Sequence, residues 1–145
     1  MARGLYPVRL KTEGLGPALA ELSGIVGERF GIQCVCDPQP AVVQCDMTTA
    51  THLYRIAQEA VNNAIKHSGA RNISLLLSVS PDGIDLEVKD DGKGMDDAAT
   101  RHTGMGLHIM DYRARSLGGN LYIHSDGSGT LVSCHVPQKP DESKP

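Results

Sequence analysis

The sequence has no tryptophan and a single phenylalanine, and nowhere does it gather Lys and Arg along one prospective helix face. A general nucleic-acid platform needs a basic track and aromatic surfaces for the bases, so the composition speaks against that class of partner. Charge is nearly balanced, with 14 Lys and Arg against 17 Asp and Glu, a formal net charge of -3. No apolar run approaches the roughly 18 residues expected of a membrane-spanning helix, and the start carries no signal-peptide pattern. The chain therefore reads as soluble and cytoplasmic, with no membrane contact of its own. Neither Gly-x-x-x-x-Gly-Lys-Ser/Thr nor Gly-x-Gly-x-x-Gly occurs, which removes the P-loop and the dinucleotide fingerprint. Cys34, Cys36, Cys45 and Cys134 form no Cys-x-x-Cys pair and match no common zinc frame. They are expected as free thiols, buried or lining a surface, and not as disulfides.

What is present is one domain's worth of periodic elements in 145 residues, without internal repeats. Gly4, Pro7 and Gly14 argue against a single regular element over residues 1–14. Leu15, Leu19, Leu22, Ile25 and Val26 predict an amphipathic helix from Leu15 to Phe30, with Pro17 tolerable in its first turn and Gly31 as its end. Ile32–Cys36 reads as a short strand. Thr48–His67 is the clearest helix, with Leu53, Ala57, Ala60 and Ala64 in one stripe small enough to lie close to a sheet. Asn72–Ser80 and Ile84–Lys89 read as a hairpin turned by Pro81-Asp82-Gly83. A glycine-rich polar stretch after Asp90, as far as Thr103, reads as a mobile loop. It is followed by a helix over Leu107–Leu117 and strands over Leu121–His124 and Thr130–Val136. This order predicts an α+β two-layer sandwich: a mixed, mostly antiparallel sheet with helices on one face. The tail from residue 138 to 145 is expected to be disordered.

Three segments carry chemistry. Glu59 and Asn63 lie one helical turn apart, with Lys66 and His67 on the adjoining arc. An amide oxygen at Asn63 suits Mg²⁺ beside a triphosphate, because Mg²⁺ prefers hard oxygen donors and the phosphates already supply negative charge. Glu59 could orient or deprotonate an attacking group, and Lys66 could reach a phosphate as a point charge. Asp90 ends an alternating strand. A partly buried carboxylate there needs a donor, and an adenine amino group is one. Gly92 and Gly94 allow close backbone approach. Gly104-Met105-Gly106-Leu107 opens a helix, where free N–H groups and the dipole favour an anion. Each motif alone also fits a bland role: a solvated helix face, an Asp-Gly turn, the start of a helix. Their order together points to an Mg-ATP pocket. Thr130, after Gly129, is a candidate partner for Asp90.

On these residues the chain resembles the GHKL (Bergerat-fold) superfamily, and within it the catalytic domains of sensor histidine kinases of the nitrate-sensor-like group. The run Leu53-Tyr54-Arg55-Ile56-Ala57-Gln58-Glu59-Ala60-Val61-Asn62-Asn63-Ala64-Ile65-Lys66-His67-Ser68 resembles the N box of those kinases. Asp90-x-Gly92-x-Gly94 is similar to their first glycine box and Gly104-Met105-Gly106-Leu107 to their second. The resemblance implies that Asn63 ligates Mg²⁺ with Glu59 near the γ-phosphate, that Asp90 binds the adenine amino group, and that Gly104 and Gly106 cradle phosphates. It also implies nucleotide contacts from Lys66, His67, Gly92, Gly94, Met95, Met105, Leu107 and Thr130, and a short lid over residues 95–103. It divides the chain into a remnant of the dimerisation region (1–14), an ATP-binding catalytic domain (15–137) and a tail (138–145).

One departure matters. Such kinases phosphorylate a histidine followed by an acidic residue, and here His52, His67, His102, His108, His124 and His135 precede Leu, Ser, Thr, Ile, Ser and Val. The expectation is a catalytic domain without its own phosphoacceptor. Its partners would then be a dimerisation domain carrying that histidine and a response regulator with a helix-turn-helix output. The fragment itself is expected to be a monomer, whether or not its parent is membrane-anchored. An anti-sigma-factor-type serine kinase and a degenerate partner-binding module are the alternative readings. The segment before Leu15 disfavours the first, and the intact Asn63, Asp90 and glycine pairs disfavour the second.

Overall fold

The computed structural model describes residues 8–39, 45–93 and 104–137. Between Pro7 and Gly14 a short helix α1 (Val8–Glu13) forms where no single element was expected, and its Leu10 is buried with the core. Helix α2 (Leu15–Phe30) has the expected limits, and Gly31 closes it by donating its N–H to the Gly27 carbonyl at 3.1 Å. Leu15, Leu19, Leu22 and Val26 point inward, one per helical turn, while Ile25 on the flank stays 44% exposed.

Strand β1 (Gln33–Gln39) runs three residues beyond the expected end and includes Pro38. It lies at a sheet edge, where a missing N–H is tolerated. Helix α3 (Met47–Asn63) begins behind Asp46, whose carboxylate accepts the Thr49 N–H at 2.7 Å and is held below its usual pKa by that bond. The α-helix stops at Asn63. Ala64–Ser68 form a π turn, so the expected α-helix through His67 is corrected in its last turn. Strands β2 (Asn72–Ser80) and β3 (Gly83–Asp90) make the expected hairpin. Helix α4 (Gly104–Ser116) starts three residues early, so Gly104-Met105-Gly106 is its first turn. Strands β4 (Asn120–Asp126) and β5 (Gly129–Pro137) complete the fold.

The five strands run in the order β1-β2-β3-β5-β4, with β1 parallel to β2 and every other neighbour antiparallel. Alternation sets the two faces. Ile73, Leu75 and Leu77 of β2, Ile84, Leu86 and Val88 of β3, and Val132, Cys134 and Val136 of β5 are buried against the helices. Val35 and Tyr122, on the other face, are 58% and 60% exposed. The expected α+β sandwich is observed. The stripe Leu53, Ala57, Ala60 and Ala64 is fully inside. Helix α4 is tied to α3 by its buried Met110 and Ala114 and by Arg113, which lies 3.2 Å from His52 Nδ1. A guanidinium can only donate, so His52 must accept through an unprotonated Nδ1. Burial, and secondarily the Arg113 charge, lower the His52 pKa in that direction. Residues 94–103 and 138–145, expected as loop, lid and tail, lie outside the described residues.

Candidate functional site

The period-two pattern that buries Ile84, Leu86 and Val88 also turns Asp90 inward, so the last residue of β3 brings a carboxylate to the core face at 7% exposure. Its Oδ1 accepts the Gly92 N–H at 2.9 Å, closing a turn of the Asx type. Directly across the β3–β5 ladder stands Thr130, 8% exposed, its hydroxyl 3.0 Å from Ser125 Oγ. The Gly129 ahead of it approaches the Asp90 carbonyl so closely that a side-chain carbon would overlap that oxygen.

Asn63, 9% exposed at the last α-helical position of α3, faces the same place. Ala60, Asn63, Ala64, Val88, Asp90, Leu107, Thr130 and Val132 enclose a cavity of about 10 Å³, the room of one water molecule. Four elements therefore meet here: α3, β3, β5 and the first turn of α4. Glu59, one turn before Asn63, is half-buried, and its carboxylate touches the backbone of Gly106, where a side-chain carbon would collide with Oε2. The first turn of α4 thus lies against Glu59, and its Leu107 lines the cavity.

The structure brings together Glu59, Asn63, Asp90, Gly106, Leu107 and Thr130. Lys66 stands apart. A π turn changes the angular phase of its residues, so the i, i+3 relation expected between Asn63 and Lys66 does not hold. Lys66 is exposed and lines an adjoining open groove of about 640 Å³ with Arg71, Asp91, Gly92 and Lys93. Gly104 and Met105 belong to the first turn of α4, while the side chains of His67 and Met105, and all of Gly94 and Met95, lie outside what is described. A second depression, of about 430 Å³, sits by Val35, Ser74 and Lys89, residues on the sheet face turned away from the helices.

Sequence reasoning missed Asp91. Its carboxylate accepts the Arg71 N–H at 2.9 Å, the Asn72 N–H at 2.9 Å and the Asn72 Nδ2–H at 2.7 Å. Those bonds, with the Asn72 side chain foremost, hold its pKa at about 2 although the group is fully exposed. The doubled aspartate before glycine was the available signal, but its partners are 19 and 20 residues away. Of the four cysteines, Cys134 is buried and Cys34, Cys36 and Cys45 are half-buried, all as free thiols. No cluster of three or more His, Cys, Asp or Glu that could hold a metal exists among the described residues.

The family model described as "Histidine kinase-, DNA gyrase B-, and HSP90-like ATPase" matches residues 48–140. Among curated proteins, the chain is 32% identical over 139 residues to the sensor histidine kinase LiaS of Bacillus subtilis, covering 95% of this chain and 38% of that protein. It is also 32% identical over 136 residues to the nitrate/nitrite sensor protein NarX of Escherichia coli, covering 92% of this chain and 23% of that one. The chain thus spans well under half the length of these relatives. Among solved structures, the histidine kinase domain of the Erythrobacter litoralis EL346 blue-light activated histidine kinase superposes with a TM-score of 0.73 at 24% identity, covering 85% of this chain and 64% of that one. The ATP binding domain of PrrB from Mycobacterium tuberculosis superposes with a TM-score of 0.62 at 18% identity, covering 84% and 92%. At these identities the likeness establishes a shared fold.

Proposed function

The chain belongs to the family of histidine kinase-, DNA gyrase B- and HSP90-like ATPases, and from that premise we propose that it is the Mg-ATP-binding catalytic domain of a sensor histidine kinase. The observation that carries this reading is the convergence of Asn63, Asp90, Leu107 and Thr130 on one buried cavity.

Asp90 accepts the adenine amino group through its carboxylate, while Gly92 N–H keeps one of its oxygens in place. Val88 and Val132, with Ala60 and Ala64, supply apolar walls for the base. Adenine needs far more room than one water, so Leu107 and the first turn of α4 withdraw from α3 on binding. That movement takes Gly106 off Glu59 and leaves the N–H groups of the turn, with those of Gly104 and Met105, for the phosphates. Mg²⁺ fits the donor set. Asn63 offers a neutral oxygen on the cavity, and Mg²⁺ commonly takes only one or two protein ligands alongside phosphate and water. When bound it neutralises charge on the phosphoryl oxygens. Glu59, freed from Gly106, orients or accepts the proton of the attacking group. Lys66 reaches the phosphates from the adjoining groove, and His67, Gly94 and Met95 complete the nucleotide contacts.

The phosphoryl acceptor is a histidine on a dimerisation domain outside this chain, since none of the six histidines here precedes an acidic residue. A response regulator with a helix-turn-helix output is the downstream partner. Residues 15–137 form the catalytic unit, residues 1–14 its junction to the dimerisation region. The domain works in the cytoplasm, where ATP is available, and no helix among the described residues is long and apolar enough to cross a membrane.

The test is a calorimetric titration of ATP, with and without Mg²⁺, into the wild type and Asp90→Ala, followed by transfer to a histidine-bearing dimerisation domain. Saturable binding that disappears in Asp90→Ala is the expected result. A folded wild type that binds no ATP would overturn the reading.

A further inference from the structure

Asp90 and Asp91 are adjacent, yet their carboxylates do different work. Asp90 faces the cavity, buried, and bonds forward to Gly92 N–H at 2.9 Å. Asp91 is the middle residue of that turn and points toward β2. There it takes three N–H groups from Arg71 and Asn72, and its own N–H donates to the Asn72 carbonyl at 3.2 Å. The β2–β3 ladder pairs Ile73 with Asp90, so these bonds extend it one step past its last pair. The anchor is itself braced: Gln33 N–H of β1 donates to the Arg71 carbonyl at 2.9 Å. On the opposite flank, β5 pairs Thr130 with Asp90, and the Gly129 backbone runs so close to the Asp90 carbonyl that a side-chain carbon there would overlap its oxygen. The peptide between Asp90 and Asp91 is therefore held from both sides, and the direction of the Asp90 carboxylate depends on that peptide.

We propose that Asp91 is a positioning residue for base recognition: its carboxylate, clamped to Arg71 and Asn72, fixes the turn that presents Asp90 to the adenine amino group. Three short bonds to an ionised acceptor are stronger and more directional than neutral ones. Without them the Asp90–Gly92 turn keeps only its backbone restraints, and the aim of the buried carboxylate loosens. This rests on the reading of Asp90 as the adenine acceptor.

The experiment compares ATP with inosine triphosphate, which carries an oxygen where adenine has its amino group, on the full chain. Affinities are measured for the wild type, Asp91→Asn and Asn72→Ala, with a melting curve for each. Asp91→Asn removes the charge; its one amide oxygen can still accept the Arg71 and Asn72 backbone N–H groups, but its N–H₂ then meets the Asn72 Nδ2–H₂ donor. Asn72→Ala leaves Asp91 charged and removes one donor, so it serves should the first variant fail to fold. The wild type should prefer ATP, and that preference should fall roughly tenfold in Asp91→Asn, the scale of one well-made polar contact, and by less in Asn72→Ala. Equal losses for both nucleotides, or an unchanged ratio, would mean that Asp91 only stabilises the fold, and the proposal would be wrong. A wild type that binds both nucleotides equally would remove the role given to Asp90, and the positioning role with it.

Discussion

Replacing Gly129 by alanine should damage the fold far more than the same change two residues earlier. Gly129 has φ +146, a conformation alanine rarely adopts, and its added carbon would overlap the Asp90 carbonyl oxygen and lie 3.0 Å from the Asp90 carbonyl carbon. The obstacle is backbone in a central strand, which cannot swing aside as a side-chain end can. Backbone held in a disfavoured region costs about 1–3 kcal/mol, and overpacking a tight contact costs about as much again. The sum is roughly 4 kcal/mol, or a fall of roughly 10 °C in Tm for a domain of this size. Gly127, in the same hairpin turn, has nothing within 4 Å of its added carbon and no left-handed φ. Gly127→Ala should therefore be neutral or slightly stabilising, by less than about 1 kcal/mol. Thermal denaturation followed by circular dichroism measures both. If the two variants melt within a few degrees of each other, the close approach of β5 to the Asp90 carbonyl is not rigid, and the argument that this carbonyl is fixed from the β5 side falls with it.

Two further expectations concern pH. Hydrogen bonds lower the Asp91 pKa from 3.8 to about 2 in the folded chain, and the Ser128 hydroxyl and N–H, with His124, do the same for Asp126. Because both folded values are depressed, the stability linked to them is present above pH 3.8 and is lost as pH falls toward 2. A plot of Tm against pH should bend down across that interval, and Asp91→Asn should flatten the bend; identical slopes in the two proteins would refute the linkage. Burial raises the thiol pKa of Cys34, Cys36 and Cys134 to about 11, with smaller contributions from Cys36, Asp37 and Asp85 respectively. Thiolate is the reactive form, so a colorimetric thiol reagent at pH 8 should label the native chain slowly, Cys134 last, and all four cysteines promptly in denaturant. Fast labelling of Cys134 in the native protein would contradict its burial.

Elements bounded by their own residues were legible without coordinates. Gly14 and Gly31 bracket α2, Pro81-Asp82-Gly83 separates β2 from β3, and the alternation through Ile84, Leu86 and Val88 already aims Asp90 at the core. The errors fall where a boundary depends on bonds to distant atoms or on a shift of hydrogen-bond register. The π turn at Ala64–Ser68 is one such shift, and it moves Lys66 off the arc that an α-helix would have placed it on. The motif Gly104-Met105-Gly106-Leu107 reads as the opening of a helix whose periodic residues start at Leu107, and the helix itself already begins at Gly104. In its first turn Gly106 faces the Glu59 carboxylate closely enough that only a residue without a side chain fits unmoved.

By itself, the sequence determined every strand, the three longer helices and their order, the buried stripes of α2 and α3, the alternation of β3 and the chemical inventory of the site, but neither α1 nor the π turn. Periodicity and residue chemistry are local properties, written every two or every three to four residues. The tertiary structure decided what meets what. It laid β5 beside β3, so that Thr130 stands opposite Asp90. It closed α4 over α3 until the cavity between Asn63 and Leu107 shrank to one water's room. It also joined Asp91 to Arg71 and Asn72 at the far end of the hairpin. Those relations rest on the register of paired strands and the packing of whole helices, which no short window of sequence encodes.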